Sequence, residues 1–174
     1  MHYNIKCCCT VVLENTYVCI IIIWQTSMVD TKFSKIVIGV DGSKESIEAA
    51  NYAIGLAKKD NAQLIVLTVL KLPSFYGWSA IEAPKEWQEK DRVETQQWFD
   101  KISQMAKENN VEVRTQIIER PISIEAAIVN FAEEEKADLI VVGTRGRTGF
   151  SKQLLGSVAS GIVTYAHCAV MVVK

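Results

Sequence analysis

The chain alternates short apolar runs with longer amphipathic stretches. Lys35–Asp41 (KIVIGVD), Gln63–Leu70 (QLIVLTVL) and Asp138–Val142 (DLIVV) are nearly continuous in apolar residues. Runs of this kind suit the central strands of a parallel sheet, which are covered on both faces. Between the first two, Ile47, Ala50, Ile54 and Ala57 recur at helical spacing, and Ser43 stands where a helix needs its N-cap. The small residues on that face let the helix lie close to a sheet. Lys71–Pro84, with Pro73, Gly77, Pro84 and the aromatics Phe75, Tyr76 and Trp78, reads as a loop. Lys85–Asn110 is charged and carries Trp98, Ile102 and Met105 along one side, which predicts a second helix with Trp87 and Trp98 packed against the sheet.

Val111, Val113, Thr115 and Ile117 alternate with polar neighbours, the pattern of a half-exposed strand near a sheet edge. Arg120-Pro121 ends it. Ser123 can cap a helix running to Glu135, with Ile124, Ala127, Ile128 and Phe131 facing inward. A helix over Ser157–Ala166 and a short strand over Val170–Val173 close the chain. The order is β-α-β-α-β-α-β-loop-α-β. It predicts one α/β domain from Met28 to Lys174, with helices on both faces of a mostly parallel sheet. Such a sheet binds ligands beyond the C-terminal ends of its strands, where the strand order reverses.

Residues 1–27 break this pattern. Their uninterrupted apolar run, Val18–Trp24, has seven residues, whereas a membrane-spanning helix needs about 20. Lys6 is the only positive charge and no small-residue cleavage site follows Trp24, so a signal peptide is not indicated. The isoleucine and valine content reads locally as strand, suited to pairing with a sheet edge, touching a partner chain or aggregating. The abrupt change in composition at Met28 also suggests that translation naturally begins there and that 1–27 is an atypical extension. The intact mass of the protein made from its own gene decides this.

Charge and cysteines narrow the function. Nineteen Lys and Arg against twenty Asp and Glu give a net charge of -1, which argues against a nucleic-acid partner. Four of the five cysteines, Cys7, Cys8, Cys9 and Cys19, lie in the extension, and only Cys168 lies in the domain. A disulfide framework is therefore not expected, and a reducing cytoplasm is the natural setting. The adjacent Cys7-Cys8-Cys9 lacks the spaced pairs of a structural zinc site. His167 beside Cys168 is read as structural, because a catalytic pair needs a spatial geometry that adjacency does not supply.

The candidate chemistry lies after the strand Asp138–Val142. Gly143 begins a 14-residue glycine-rich segment ending at Gly156. Gly143 and Gly146 let a ligand approach the main chain, and the amides around them can form an anion-binding concavity. Gly156-Ser157 starts the next helix, whose unpaired N–H groups favour an anion. Ser157 can cap that helix or donate to a phosphate. Arg145 and Arg147 can add charge or point to solvent. The alternative is a surface loop whose glycines only relieve turn strain. The spacing is neither that of a G-x-x-x-x-G-K-[S/T] loop nor that of a G-x-G-x-x-G loop. Asp41 ends the first strand on the same sheet edge. It can bond a ribose hydroxyl, hold Mg2+ against phosphates, or serve only as a turn carboxylate.

The opening KIVIGVDGS, the spacing G-x2-G-x9-G-S at Gly143, Gly146, Gly156 and Ser157, and the ending AHCAVMVVK resemble the universal stress protein family over Lys35–Lys174. The resemblance implies a doubly wound, Rossmann-like sheet of five parallel strands in the order 3-2-1-4-5. It also implies a homodimer paired through the last strand, Val170–Val173. Within the family, this loop is similar to that of the ATP-binding branch. There Gly39 and Val69 would border the adenine of ATP or AMP, and Asp41 would contact the ribose or Mg2+. Gly143, Gly146, Gly156, Ser157 and Val158 would surround the ribose and phosphates, with Arg145 in the variable part of the loop. Ala169 stands where the family often has proline. The implied role is stress response or signalling, and the alternatives are a slow ATPase or phosphotransfer enzyme and a nucleotide-independent dimeric scaffold.

Overall fold

The computed structural model describes residues 9–13, 16–21, 32–70, 85–119, 121–146 and 155–174. The expected loop Lys71–Pro84, Arg147 with the middle of the glycine-rich segment, and the junction around Met28 lie outside them. The elements are β1 (Cys9–Leu13), β2 (Thr16–Ile21), β3 (Lys35–Gly39), α1 (Lys44–Asp60), β4 (Gln63–Leu70), α2 (Lys85–Glu108), β5 (Val113–Glu119), α3 (Ile124–Glu134), β6 (Leu139–Gly143), α4 (Ser157–Tyr165) and β7 (Ala169–Val173).

The five strands β3 to β7 are parallel and lie in the order β5-β4-β3-β6-β7, which is the expected 3-2-1-4-5. The sheet is longer than expected by two strands. β1 and β2 form an antiparallel hairpin, and β2 runs antiparallel beside β7, with Val18 opposite Val173.

Alternation along the central strands sorts their side chains into two layers. Ile36, Ile38, Leu64, Val66, Leu139 and Val141 pack with the alanines of α1 and with Phe99, Ile102 and Ala106 of α2. Val37, Ile65, Leu67, Ile140, Val142 and Val170 pack with Ile128, Ala132, Ala159 and Ile162 of α3 and α4. Both faces are dry, which is why these strands are apolar without a polar alternate. Each such side chain contributes about 1.5–3 kcal/mol by leaving water. β5 lies at the edge and keeps the expected half-exposed pattern.

The serine caps form as expected. Ser43 Oγ accepts from Ser46 N–H at 3.2 Å and Ser123 Oγ accepts from Ala126 N–H at 3.0 Å. Asp138, expected to open the fourth core strand, instead precedes it. Its Oδ2 accepts from the N–H groups of Ser34 and Lys35 at 2.7 and 2.9 Å, so the carboxylate pins the start of β3, while its own N–H donates to the Lys35 carbonyl at 2.9 Å. Among the described residues no helix is long and apolar enough to cross a membrane.

At the opposite end of the sheet from the candidate loop, Glu135 accepts hydrogen bonds from Arg114 and from Lys35 Nζ, the latter at 3.1 Å. The Arg114 guanidinium first, and the Lys35 ammonium second, hold its carboxyl below the usual 4.5. A depressed carboxylate stabilises the fold above its unfolded value and loses that contribution as pH falls through the folded one. Glu135→Gln is therefore expected to flatten the acid limb of stability below about pH 4.5. Urea denaturation of both proteins across that limb reads it, and parallel acid limbs would contradict the assignment.

Candidate functional site

The chain leaves β3 through α1 to reach β4 on one side, and later returns through α3 to place β6 on the other. The C-terminal ends of β3 and β6 therefore part around a crevice at the point where strand order reverses. β3 and β6 are direct neighbours, with Gly39 opposite Val142. Asp41 and Gly143 consequently face one cavity of ≈ 460 Å³. Gly39, Val69, Arg145, Gly146, Gly156, Ser157 and Val158 line it as well. The structure thus brings together every described residue singled out for ligand contact.

Asp41 serves as the turn carboxylate. Its Oδ1 accepts from Ser43 N–H at 3.1 Å and from Ser43 Oγ–H at 2.6 Å. This turn holds the carboxylate at the head of α1 and presents Ser43 as the cap. Gly42 makes the turn possible, with φ at +79°, and a Cβ there would overlap the Trp98 indole. The other carboxylate oxygen, Oδ2, lies against Gly146, where a Cβ would stand 2.5 Å from it. Gly146 therefore lies directly over Asp41.

The glycines of this segment divide their work. A Cβ on Gly143 would meet the backbone of α1, 3.0 Å from the carbonyl carbon of Glu45 and 3.1 Å from Ser46 N. Gly143 thus lets α1 approach the end of β6. Two main-chain hydrogen bonds fix the ends of the loop. Thr144 N–H donates to the Val173 carbonyl at 2.7 Å, and Gly156 N–H donates to the Thr144 carbonyl at 2.8 Å. They bring the start of α4 back beside β6.

The N-cap of α4 is Gly156, with no side-chain cap hydrogen bond. Ser157, considered as the cap, is instead the first helical residue and is exposed. An N-cap needs extended backbone angles, and it is Gly156 that has them, at φ -70° and ψ 162°. The first turn of α4 thus lies at the cavity with no hydrogen bond from an N-cap side chain, an arrangement that suits an anion. Thr144 Oγ1 and Arg145 Nε are buried and have no hydrogen-bond partner among the described residues. Both residues line the cavity. Buried polar atoms are ordinarily paired, so two orphans at one cavity are consistent with a polar ligand.

The wall opposite the loop was not foreseen. Asp91 and Trp98 of α2 line the cavity. They stand seven residues apart, two helical turns, so one face of α2 carries both. That spacing was visible, but the direction of the face was not. Trp98 was expected to pack on the sheet. It packs on Gly42 and borders the cavity instead.

Cys168 and His167 take no part in this site. Cys168 precedes β7 at the opposite end of the sheet and packs beside the α3–α4 layer, and His167 is exposed. Burial, and then the nearby Asp138 charge, push the Cys168 thiol up to about 11 from 9.0. Cys168 should therefore alkylate roughly a hundredfold more slowly than an unperturbed cysteine near pH 8. Peptide-resolved mass spectrometry after timed iodoacetamide treatment measures this, and a rate equal to that of a free thiol would contradict it.

The same fold occurs in known proteins. Residues 32–174 match the universal stress protein family. A universal stress protein of Methanocaldococcus jannaschii is 42% identical over 142 residues, which is 82% of each chain. The structure of universal stress protein UspA from Lactobacillus plantarum superposes with a TM-score of 0.76 at 21% identity, covering 83% of this chain and 100% of that one. A universal stress protein solved in complex with cAMP gives a TM-score of 0.63 at 26% identity, covering 83% of this chain and 99% of that one. Matched in sequence over its whole parallel sheet and in fold by these structures, the chain belongs to the universal stress protein family.

Proposed function

We propose that the cavity binds an adenine nucleotide, ATP or AMP, and that ligand occupancy serves a stress-response or signalling role through partner contacts rather than turnover. The observation that carries this reading is a juxtaposition. Gly146 passes over Asp41 while the uncapped first turn of α4 faces the same ≈ 460 Å³ cavity. In this reading Gly39 and Val69 border the base, and Asp41 takes a ribose hydroxyl. The amides around Gly143–Gly146 and those of Ser157 and Val158 hold the phosphates, with Arg145 supplying positive charge. The related structure bound to cAMP supports the choice of an adenine nucleotide.

Mg2+ would arrive on the phosphates. No cluster of three His, Cys, Asp or Glu among the described residues can hold a metal alone, and Mg2+ is readily held by one carboxylate together with phosphate oxygens. Asp41 is the carboxylate placed to do so. Hydrolysis would further require a positioned general base. The Asp41 oxygen that accepts from Ser43 is already committed to the turn. A reducing cytoplasm suits a domain whose one cysteine is a protonated, half-buried thiol.

Gentle purification, denaturation and mass analysis of released small molecules test the proposal, followed by titration with ATP and Mg2+. Recovery of ATP or AMP, or saturable binding at one site per chain, is expected. A folded protein that neither carries nor takes up an adenine nucleotide would refute it.

A further inference from the structure

The cavity has two electrically different ends. Among the described residues that line it, Asp41, Asp91 and Arg145 carry charge. Arg145 follows β6, on the side of the glycine loop and the head of α4. Asp91 belongs to the other side. Arg92, the next residue of α2, pairs with Glu119 at the end of β5 at 2.8 Å. Glu119 stands opposite Leu70 at the end of β4, and Leu70 lines the cavity. This turn of α2 is therefore held beside the β4 end. β3 lies between β4 and β6, and two strand spacings amount to about 10 Å.

The backbone at Asp91 is fixed while its carboxylate is not engaged. Thr95 is fully buried, and its Oγ1–H donates to the Asp91 main-chain carbonyl at 2.7 Å. Two turns further along the same face, Trp98 is seated on Gly42. Asp91 itself is half-buried, and among the described residues its carboxylate has no hydrogen-bond or ion-pair partner. Asp41, in contrast, already accepts twice from Ser43.

An ionised carboxylate accepts hydrogen bonds and donates none. Phosphate oxygens are acceptors with the same charge, so Asp91 disfavours them. A nucleotide placed with its phosphates at β6 brings its base to Val69 and Leu70 at β4. The donor that adenine carries on its outer edge is its exocyclic amine. We propose that Asp91 is a specificity-determining residue for the base: its carboxylate accepts from that amine. Together with Asp41 it also rejects the reversed ligand, whose phosphates would face two carboxylates. This inference rests on the reading that the cavity holds an adenine nucleotide.

Calorimetric titration of the full chain with ATP and with purine riboside triphosphate, which lacks only the amine, tests it. ATP is expected to bind at least about tenfold more tightly, the effect of one hydrogen bond to a charged group. Asp91→Ala should narrow that preference to about twofold, and Asp91→Asn, whose amide oxygen still accepts, should keep part of it. Asp41→Asn should weaken both ligands alike, because they share the ribose. Thermal denaturation checks that each variant is folded, and the comparison in the unaltered chain needs no variant. Equal affinity of the unaltered chain for the two ligands would overturn the role of Asp91 and leave the nucleotide site standing. So would a preference that Asp91→Ala leaves unchanged. Uptake of neither ligand would overturn both readings.

Discussion

Gly146→Ala is expected to weaken ATP binding by at least about tenfold while changing stability little. The added Cβ would stand 2.5 Å from Asp41 Oδ2, so either the carboxylate or the glycine loop must move. Asp41 is held from its other side by two hydrogen bonds from Ser43, which resist its displacement. Losing one hydrogen bond to a charged group costs roughly 1.5–3 kcal/mol, or about 10- to 150-fold in affinity. Gly146 is exposed and lies in a loop, so the fold has little to lose. Calorimetric titration and thermal denaturation of the same preparation separate the two effects. Unchanged affinity in a folded variant would mean that the ligand does not lie between Gly146 and Asp41. Gly143→Ala is a poorer probe of the ligand, because its Cβ meets the backbone of α1 and disturbs packing first.

Gly42→Ala is expected to cost about 3 kcal/mol of stability. Two penalties add. The backbone at Gly42 is left-handed, with φ at +79°, a region that costs other residues about 1–2 kcal/mol. The new methyl group would also overlap the Trp98 indole, and overpacking a fitted contact costs typically 1–3 kcal/mol. The same turn carries Asp41 and the Ser43 cap, so ligand binding should fall with stability. Urea denaturation measures the loss. A change below about 1 kcal/mol would show that the turn and the indole accommodate the methyl group without strain.

The parallel core was legible because its strands are buried on both faces. Ile36–Ile38, Leu64–Leu67 and Leu139–Val142 have no solvent side, so their apolar runs could not belong to an exposed strand. Ser43 and Ser123 were legible for a local reason, since a cap is decided within one turn. The crevice followed from topology, which sets the ends of β3 and β6 side by side.

Other features depend on relations that no local pattern carries. Asp138 looked like a strand residue until Ser34 and Lys35 came within reach of its carboxylate from more than a hundred positions away in the chain. Gly156 rather than Ser157 caps α4 because its main chain must turn back to the Thr144 carbonyl. Asp91 and Trp98 share a helix face, yet only packing of α2 over the turn at Gly42 points that face at the cavity. The strand character of the N-terminal segment was readable from its isoleucines and valines. Its place beside β7 rests on main-chain groups, which are alike in every residue but proline.

A single titration reaches the central claim most directly: amide-resolved NMR of the full chain with ATP and Mg2+. Saturable shifts should concentrate at the N–H groups of Gly143, Arg145 and Gly146 and at those of Ser157, Val158 and Ala159. Saturable binding that leaves these amides unmoved, with the shifts gathered elsewhere on the sheet, would contradict a phosphate held between the glycine loop and the head of α4.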